Sequence, residues 1–338
     1  MMTSPKIAAK LYREAKYCGR DISYALGLSR RFYQKAGGSR IMIYHGISLK
    51  DHTRFNPIFL TLKTFESHLK LYKKYFNVIS LDDFYQRRFS TGKFNICITF
   101  DDGFANNHQY VLPLLEKYKM PATFFVTAIR EAGYDVLWND FLGIAGKYGP
   151  GILQYKGEFY HKDRYQRYIS AGNTTLLAEK LRSAGFEEKA EMMQQLYPLA
   201  PFKENVQEKD YWLQMTVQQI GELSASPFAS IGAHGYYHND LSRISLKDAA
   251  EEMVRSKQFL ESTTQKPVNS LAFPYGTYTR PVIEEAKRAG YNQLLAMDFH
   301  FEEDLSDPAM RERFTVNPFI SPINQLHATI TRKYEDHS

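Results

Sequence analysis

Asn95-Ile96-Cys97-Ile98-Thr99-Phe100-Asp101-Asp102-Gly103 is an almost wholly apolar, β-rich run that ends in two adjacent carboxylates and a glycine. Its composition predicts a buried strand, and two charges at the end of a buried strand need a partner or a cation. Paired acids before glycine also occur in ordinary turns and helix caps. What separates the two readings lies about 130 residues further on, in His234-Gly235-Tyr236-Tyr237-His238. Together the stretches supply two carboxylates and two imidazoles. Catalytic zinc is commonly held by three protein ligands of these types, with a position left open for water and substrate. One Asp is then spare, and a carboxylate beside a ligand can take a proton from water at the ion. The pattern is that of a metal hydrolase carrying its own base.

Around these stretches, short apolar runs alternate with helical segments, the rhythm of a parallel sheet with crossover helices. Strands are expected at Ile41-Met42-Ile43-Tyr44-His45, 78–80, 95–100, 122–127, 230–233, 271–273 and 292–297, with 313–320 closing the sheet. Helices are expected over 64–76, 81–88, 110–118 and 246–262. From about 138 to 215 the rhythm breaks. This stretch begins Leu137-Trp138-Asn139-Asp140, passes through Gly- and Tyr-rich sequence compatible with a hairpin, and continues as polar helix over 175–197, so it reads as a mainly helical insertion. His45, Asp101, Asp102, His234 and Pro274-Tyr275-Gly276 all fall at the C-terminal ends of predicted strands, the rim where a β/α barrel gathers its catalytic residues.

The chain has 338 residues, of which 43% are hydrophobic and 24% charged, ordinary for a folded protein. No stretch approaches the roughly 20 apolar residues of a membrane span, and the N-terminus lacks the apolar core of a signal peptide, so a cytoplasmic location is expected. Cys97 sits in an apolar run and reads as a buried thiol; no disulfide to Cys18 is expected. The net charge of +6 is concentrated in residues 1–40, which carry nine Lys or Arg against two acids. Ile7, Leu11, Ala15, Cys18, Ile22, Ala25 and Leu26 recur there at helical spacing. The segment is either a solvated helix packed on the body or a peripheral anchor at the anionic inner membrane surface. Nucleic acid is not an expected partner, because the body offers no basic stripe or binding motif.

Thr99 to Gly103, His234 to His238 and Ala272-Phe273-Pro274-Tyr275-Gly276 resemble the first three motifs of the polysaccharide deacetylases, the carbohydrate esterases of family 4 with the NodB-type fold. The resemblance extends over 41 to about 320 and includes Leu81-Asp82-Asp83-Phe84. It implies a distorted (β/α)7 barrel that removes acetyl groups from N-acetylated amino sugars in a glycan, glycolipid or sugar precursor. Asp102, His234 and His238 match the ligands of a divalent metal, zinc foremost, with cobalt or nickel as alternatives. Asp101 matches the general base, and the Tyr275 backbone N–H matches an oxyanion donor. Ile43-Tyr44-His45-Gly46 is similar to the branch that deacetylates poly-N-acetylglucosamine, which implies that His45 is the general acid.

The chain departs from the family pattern at several places. Gly235 stands where Ser or Thr is usual, and Ala272-Phe273 replaces an Arg that orients the base, with Arg311 or Arg313 as substitutes. The later histidine motif is not clear, and its candidates His300 and His327 read as surface residues. Trp138, Tyr236 and Tyr237 are candidate sugar-stacking walls. The same site also suits O-acetyl ester hydrolysis or deformylation, and a degenerate glycan-binding or scaffold protein is the non-enzymatic alternative.

Overall fold

A computed structural model describes residues 4–335. Its centre is a parallel sheet of nine strand segments: β1 (Ser39–Tyr44), β2 (Phe76–Val78), β3 (Phe94–Phe100), β4 (Ala122–Val126), β5 (Ala229–Ala233), β6 (Ser270–Ala272), β7 (Gln293–Ala296), β8 (Met310–Glu312) and β9 (Phe314–Thr315). The spatial order is β8-β7-β6-β5-β4-β3-β1-β9, and β2 pairs with β3. The two ends of this path are one piece of chain. Residues 310–312 pair with β7, and after Arg313 residues 314–315 pair with β1. One interrupted strand therefore closes the ring, and the nearly closed barrel is built from seven passes of the chain. This corrects the expected closing strand, which begins three residues earlier than 313–320, because Arg313 is the point where the backbone changes partner.

Every residue of β3 is buried, as expected for a strand covered on both faces. Inside the barrel Ile41, Cys97, Phe125, Ala272 and Leu295 form one layer with Ile79, Leu81 and Phe84. Cys97 is thus a free core thiol, and Cys18 is free and exposed. Helices Leu62–Tyr75, Leu112–Tyr118, Val217–Ala225, Leu246–Thr264, Arg280–Arg288 and Pro322–Thr331 surround the strands. Their starts follow local chemistry. Thr61, Ser245 and Ser321 accept the amides of Thr64, Asp248 and Asn324, and Thr216 with Gln219 forms a reciprocal capping box.

Between β4 and β5 the chain leaves the barrel and builds a second core around Trp138, Phe141, Tyr155, Tyr160, Met192 and Trp212. A three-stranded antiparallel sheet, Ile152–Tyr155, Glu158–Lys162 and Tyr168–Ser170, lies within it. The helix expected over 175–197 is two helices, Leu177–Arg182 and Phe186–Leu196, because Ser183-Ala184-Gly185 breaks the pattern.

The leader is a 22-residue helix, Ser4–Ala25, followed by Arg30–Gln34. It is pinned to Pro322–Thr331 by polar contacts: Arg20 donates to Asn324 at 2.9 Å, Asn324 to the Tyr17 carbonyl at 3.1 Å, and Ser321 to Asp21 at 2.6 Å. No helix among the described residues is long and apolar enough to cross a membrane.

Candidate active site

The strand register brings the polar residues together. Tyr44 pairs with Phe100, so His45 and Asp101 follow side by side, and the Asp101 amide donates to the Tyr44 carbonyl at 2.9 Å. Val126 pairs with Ala233, and the His234 amide closes onto the Val126 carbonyl at 3.0 Å. The chain then leaves the rim in left-handed turns. Asp102, Gly103, Gly235, His238, Tyr275 and Gly276 all have φ between 58° and 80°. For Asp102, His238 and Tyr275 this conformation costs on the order of 1 kcal/mol each, so packing must hold it.

Asp102 Oδ1 lies 3.4 Å from His234 Nε2 and 3.3 Å from His238 Nε2, and all three side chains are buried. Two donors about 2.0–2.1 Å from a tetrahedral ion stand roughly 3.3 Å apart. The observed separations fit that edge. His234 Nδ1 is 2.8 Å from the Ala272 carbonyl, which selects the tautomer protonated at Nδ1 and leaves the Nε2 lone pair for a cation. Burial opposes charge on Asp102, but hydrogen bonds from His234 and His238 prevail and hold its carboxyl well below the usual range. His234 is pushed up against its own burial, chiefly by Asp101 and then Asp102. His238 is pushed down by burial, partly offset by Asp102. Three groups that attract one another in this way share a proton or a metal ion.

Asp101 is held apart from this triad. Arg313 Nη1 and Nη2 grip its two oxygens at 2.7 and 2.8 Å, and Nη1 also reaches Thr99 Oγ1 at 3.3 Å. Burial acts to raise the Asp101 pKa, yet the Arg313 charge followed by His234 keeps it below the usual carboxylate range. The sequence left Arg311 and Arg313 as equal substitutes. Arg311 instead lies over the Tyr85 ring, 4.6 Å from its centre.

His45 is partly buried, and its backbone carbonyl receives Asn107 Nδ2 at 3.0 Å. Loss of water lowers its pKa, while Asp102 and Asp101 act in the opposite sense. Tyr275 places its ring 5.0 Å from that of His238, beneath the Arg182 guanidinium at 4.4 Å. The other two histidine candidates stand in different surroundings: His300 stacks on Tyr278, and His327 stacks on Phe32.

Gly235 needs its left-handed φ of 75°, which a Ser or Thr would adopt only with strain. Order in this loop comes from Glu252. Its buried carboxylate accepts the Tyr236 and Tyr237 amides at 3.2 Å and Asn239 Nδ2 at 2.5 Å. Lys189, fully buried on the insertion helix, donates to Asn239 Oδ1, and burial pushes its ammonium down to about 8. Trp138 Nε1 donates to the His238 carbonyl at 3.2 Å. The insertion thus braces the histidine loop. Trp138 and Tyr236 are 1% exposed and so are packing residues and not open sugar walls, whereas Tyr237 is half-buried, stacks on Phe186 at 4.0 Å and lines a surface cavity of about 390 Å³. Sequence reasoning missed Glu252, Lys189 and Asp140. The first two sit on polar amphipathic helices that read as solvated faces, and nothing in the spacing marks them as buried.

The polysaccharide deacetylase family model matches residues 89–172 and 203–294, more than half of the chain. The chain belongs to that family, whose members are hydrolases acting on the amide bonds of N-acetyl groups and generally use a divalent metal. It is similar in fold to the Streptococcus pyogenes deacetylase PplD in complex with acetate, at 18% identity and TM-score 0.54 over 86% of this chain and 97% of that one. It is also similar to IcaB from Ammonifex degensii, at 16% identity and TM-score 0.51 over 88% and 98%. A polysaccharide deacetylase from Bacillus cereus matches at 17% identity and TM-score 0.52 over 86% and 68%. No curated protein matches the chain.

Proposed function

We propose that this chain is a metal-dependent deacetylase that hydrolyses the N-acetyl group of an amino sugar in a glycan, glycolipid or sugar precursor. The observation that carries the reading is one rim holding a buried Asp102, His234 and His238 triad next to a separate carboxylate, Asp101, fixed by an arginine fork. In this reading Asp102, His234 and His238 hold a divalent ion, with zinc ahead of cobalt or nickel. The ion supplies Lewis acidity toward the acetyl carbonyl and toward water. Asp101 accepts the proton of the attacking water, and Arg313 keeps its carboxylate ionised and aimed. The Tyr275 backbone N–H stabilises the developing oxyanion, a contribution on the order of 3 kcal/mol. His45, beside Asp101 in register, protonates the departing amine, which is a poor leaving group as an anion.

The test is acetate release from a panel of acetylated nucleotide sugars, lipid-linked sugars and oligosaccharides by zinc-loaded protein. Release from at least one class, reduced roughly a hundredfold or more in Asp101→Asn, is expected. Absence of release across the panel contradicts the reading.

We further propose that the leader helix rests on an anionic membrane surface, where a lipid-linked substrate would be met. The helix packs on the body through Tyr17, Arg20, Asp21 and Tyr24, and turns its apolar face outward. Leu11, Ile22 and Leu26 are 60%, 54% and 69% exposed. Exposed Arg30, Arg31 and Lys35 follow that face at the next helix, each worth about 1 kcal/mol near anionic lipid, whereas Lys16 is turned to the body by its ion pair with Glu335. An amphipathic helix normally buries such a face against its own protein. Sedimentation with phosphatidylserine vesicles should capture the wild type but not Leu11→Glu/Ile22→Glu. Equal capture of both, or equal capture by neutral phosphatidylcholine vesicles, contradicts the proposal.

A further inference from the structure

Asp140 lies in the first turn of the insertion helix Trp138–Tyr148 and is 8% exposed. One carboxyl oxygen receives the Asn56 amide at 3.3 Å and the Asn139 amide at 3.5 Å. The other is buried and has no hydrogen-bond partner among the described residues, and no ion pair among them includes Asp140. The carboxyl borders a cavity of about 210 Å³ whose walls include Phe55, Asn56, Asn139, Ile144 and Tyr211. That is room for roughly seven waters at about 30 Å³ each, comparable to one sugar ring. The cavity is tied to the catalytic rim by geometry. The helix turn that carries Asp140 also carries Trp138, whose Nε1 donates to the His238 carbonyl at 3.2 Å, and Tyr275, its ring 5.0 Å from that of His238, has a buried hydroxyl with no hydrogen-bond partner among the described residues.

A buried carboxyl with an idle oxygen lowers stability, since its hydration is lost and not replaced. Burial, reinforced by Asp102, pushes its pKa well above the usual range, and its second oxygen is open to a hydrogen bond from a ligand. Nothing among the described residues uses that oxygen. Polar groups set among apolar walls in a small concavity are the arrangement by which proteins orient polyhydroxylated ligands.

We propose that Asp140 and Asn56 form a subsite that hydrogen-bonds the hydroxyls of a pyranose ring, with Phe55 and Tyr211 as its apolar walls, next to the reacting acetamido group. The subsite rests on the deacetylase reading and names its substrate class: the ring itself, and not only the acetyl group, is gripped. A site built around a substrate hydroxyl discriminates strongly, because an analogue lacking that hydroxyl leaves the buried group unpaired.

The experiment compares zinc-loaded wild type, Asp140→Asn and Asp140→Ala on two substrates, an N-acetylglucosamine oligomer and 4-nitrophenyl acetate, an acetyl ester without a sugar. The fall in kcat/KM on the sugar should exceed the fall on the ester at least tenfold and should appear mainly in KM. The thermal midpoint should hold or rise, because an unsatisfied buried carboxyl has been removed. Equal losses on both substrates, or a lowered midpoint, would assign Asp140 a structural role and overturn the subsite. Binding of the same oligomer to zinc-loaded Asp101→Asn, with and without Asp140→Ala, separates the subsite from the deacetylase reading. Binding lost with Asp140→Ala supports the subsite even where wild type releases no acetate, and binding that is equal or absent in both overturns it.

Discussion

Replacing Arg313 by Met removes the guanidinium that grips Asp101 and leaves a carboxylate 4% exposed without its hydrogen-bonded ion-pair partner. The fork has two bonds, at 2.7 and 2.8 Å, and both partners are almost wholly buried. Breaking one side of such a pair costs about 3–5 kcal/mol, because the surviving charge keeps its desolvation penalty and loses its attraction. For a chain of this size that corresponds to a fall of roughly 4–7 °C in thermal midpoint. Asp101→Asn removes the charge that needs Arg313, so the double variant should recover part of the loss. Urea unfolding of the wild type, both single variants and the double variant forms a cycle, with an expected coupling of at least about 2 kcal/mol. Activity gives a second readout: Arg313→Met should lower kcat about a hundredfold through misplacement of the base, and Arg313→Lys should recover little, because an ammonium cannot reproduce the planar fork. Stability effects that add within about 0.5 kcal/mol would refute the pairing as the reason Arg313 is there.

Trp138→Phe keeps an aromatic ring in the insertion core but deletes the donor to the His238 carbonyl, and zinc affinity measured by chelator competition should fall about tenfold; unchanged affinity would show that the brace is idle. His68 gives a pH signature. It is buried, with Nδ1 3.1 Å from the Tyr44 hydroxyl and Nε2 unpartnered among the described residues, and burial lowers its pKa from the ordinary 6.5 to about 3. A depressed folded pKa means stability present above about 6.5 and lost as pH falls toward 3, because the unfolded chain binds the proton that the folded one refuses. Between pH 7 and 4.5 the wild type should therefore lose roughly 2–3 kcal/mol relative to His68→Gln, and a pH-independent difference between the two would contradict the buried neutral imidazole.

The Asp pair, the His pair and the barrel rhythm were legible because each depends on residue type and strand-end position, which spacing reveals. Arg313 was legible only as one of two candidates. Arg311 and Arg313 share a face, and which of them reaches Asp101 depends on depth along the barrel axis and on the partner switch between β8 and β9, neither of which is local. The stacking role expected of Trp138 and Tyr236 failed for a related reason. An aromatic beside a motif reads the same whether the surface covering it is solvent or an insertion, and here the insertion covers it. The leader presented the opposite ambiguity: amphipathicity fixed the existence of an apolar face but not its direction, and the polar contacts to Asn324 and Ser321 turn it outward.

The most direct test of the central claim is acetate release from N-acetylated oligosaccharides by protein stripped with a chelator and then titrated with zinc. Activity should be absent in the stripped protein, rise to a plateau at one equivalent of metal per chain, and fail to appear in His234→Ala. Equal acetate release before and after stripping would contradict a metal-dependent deacetylase, and stoichiometric zinc binding with no acetate release would point to a glycan-binding protein on the same barrel.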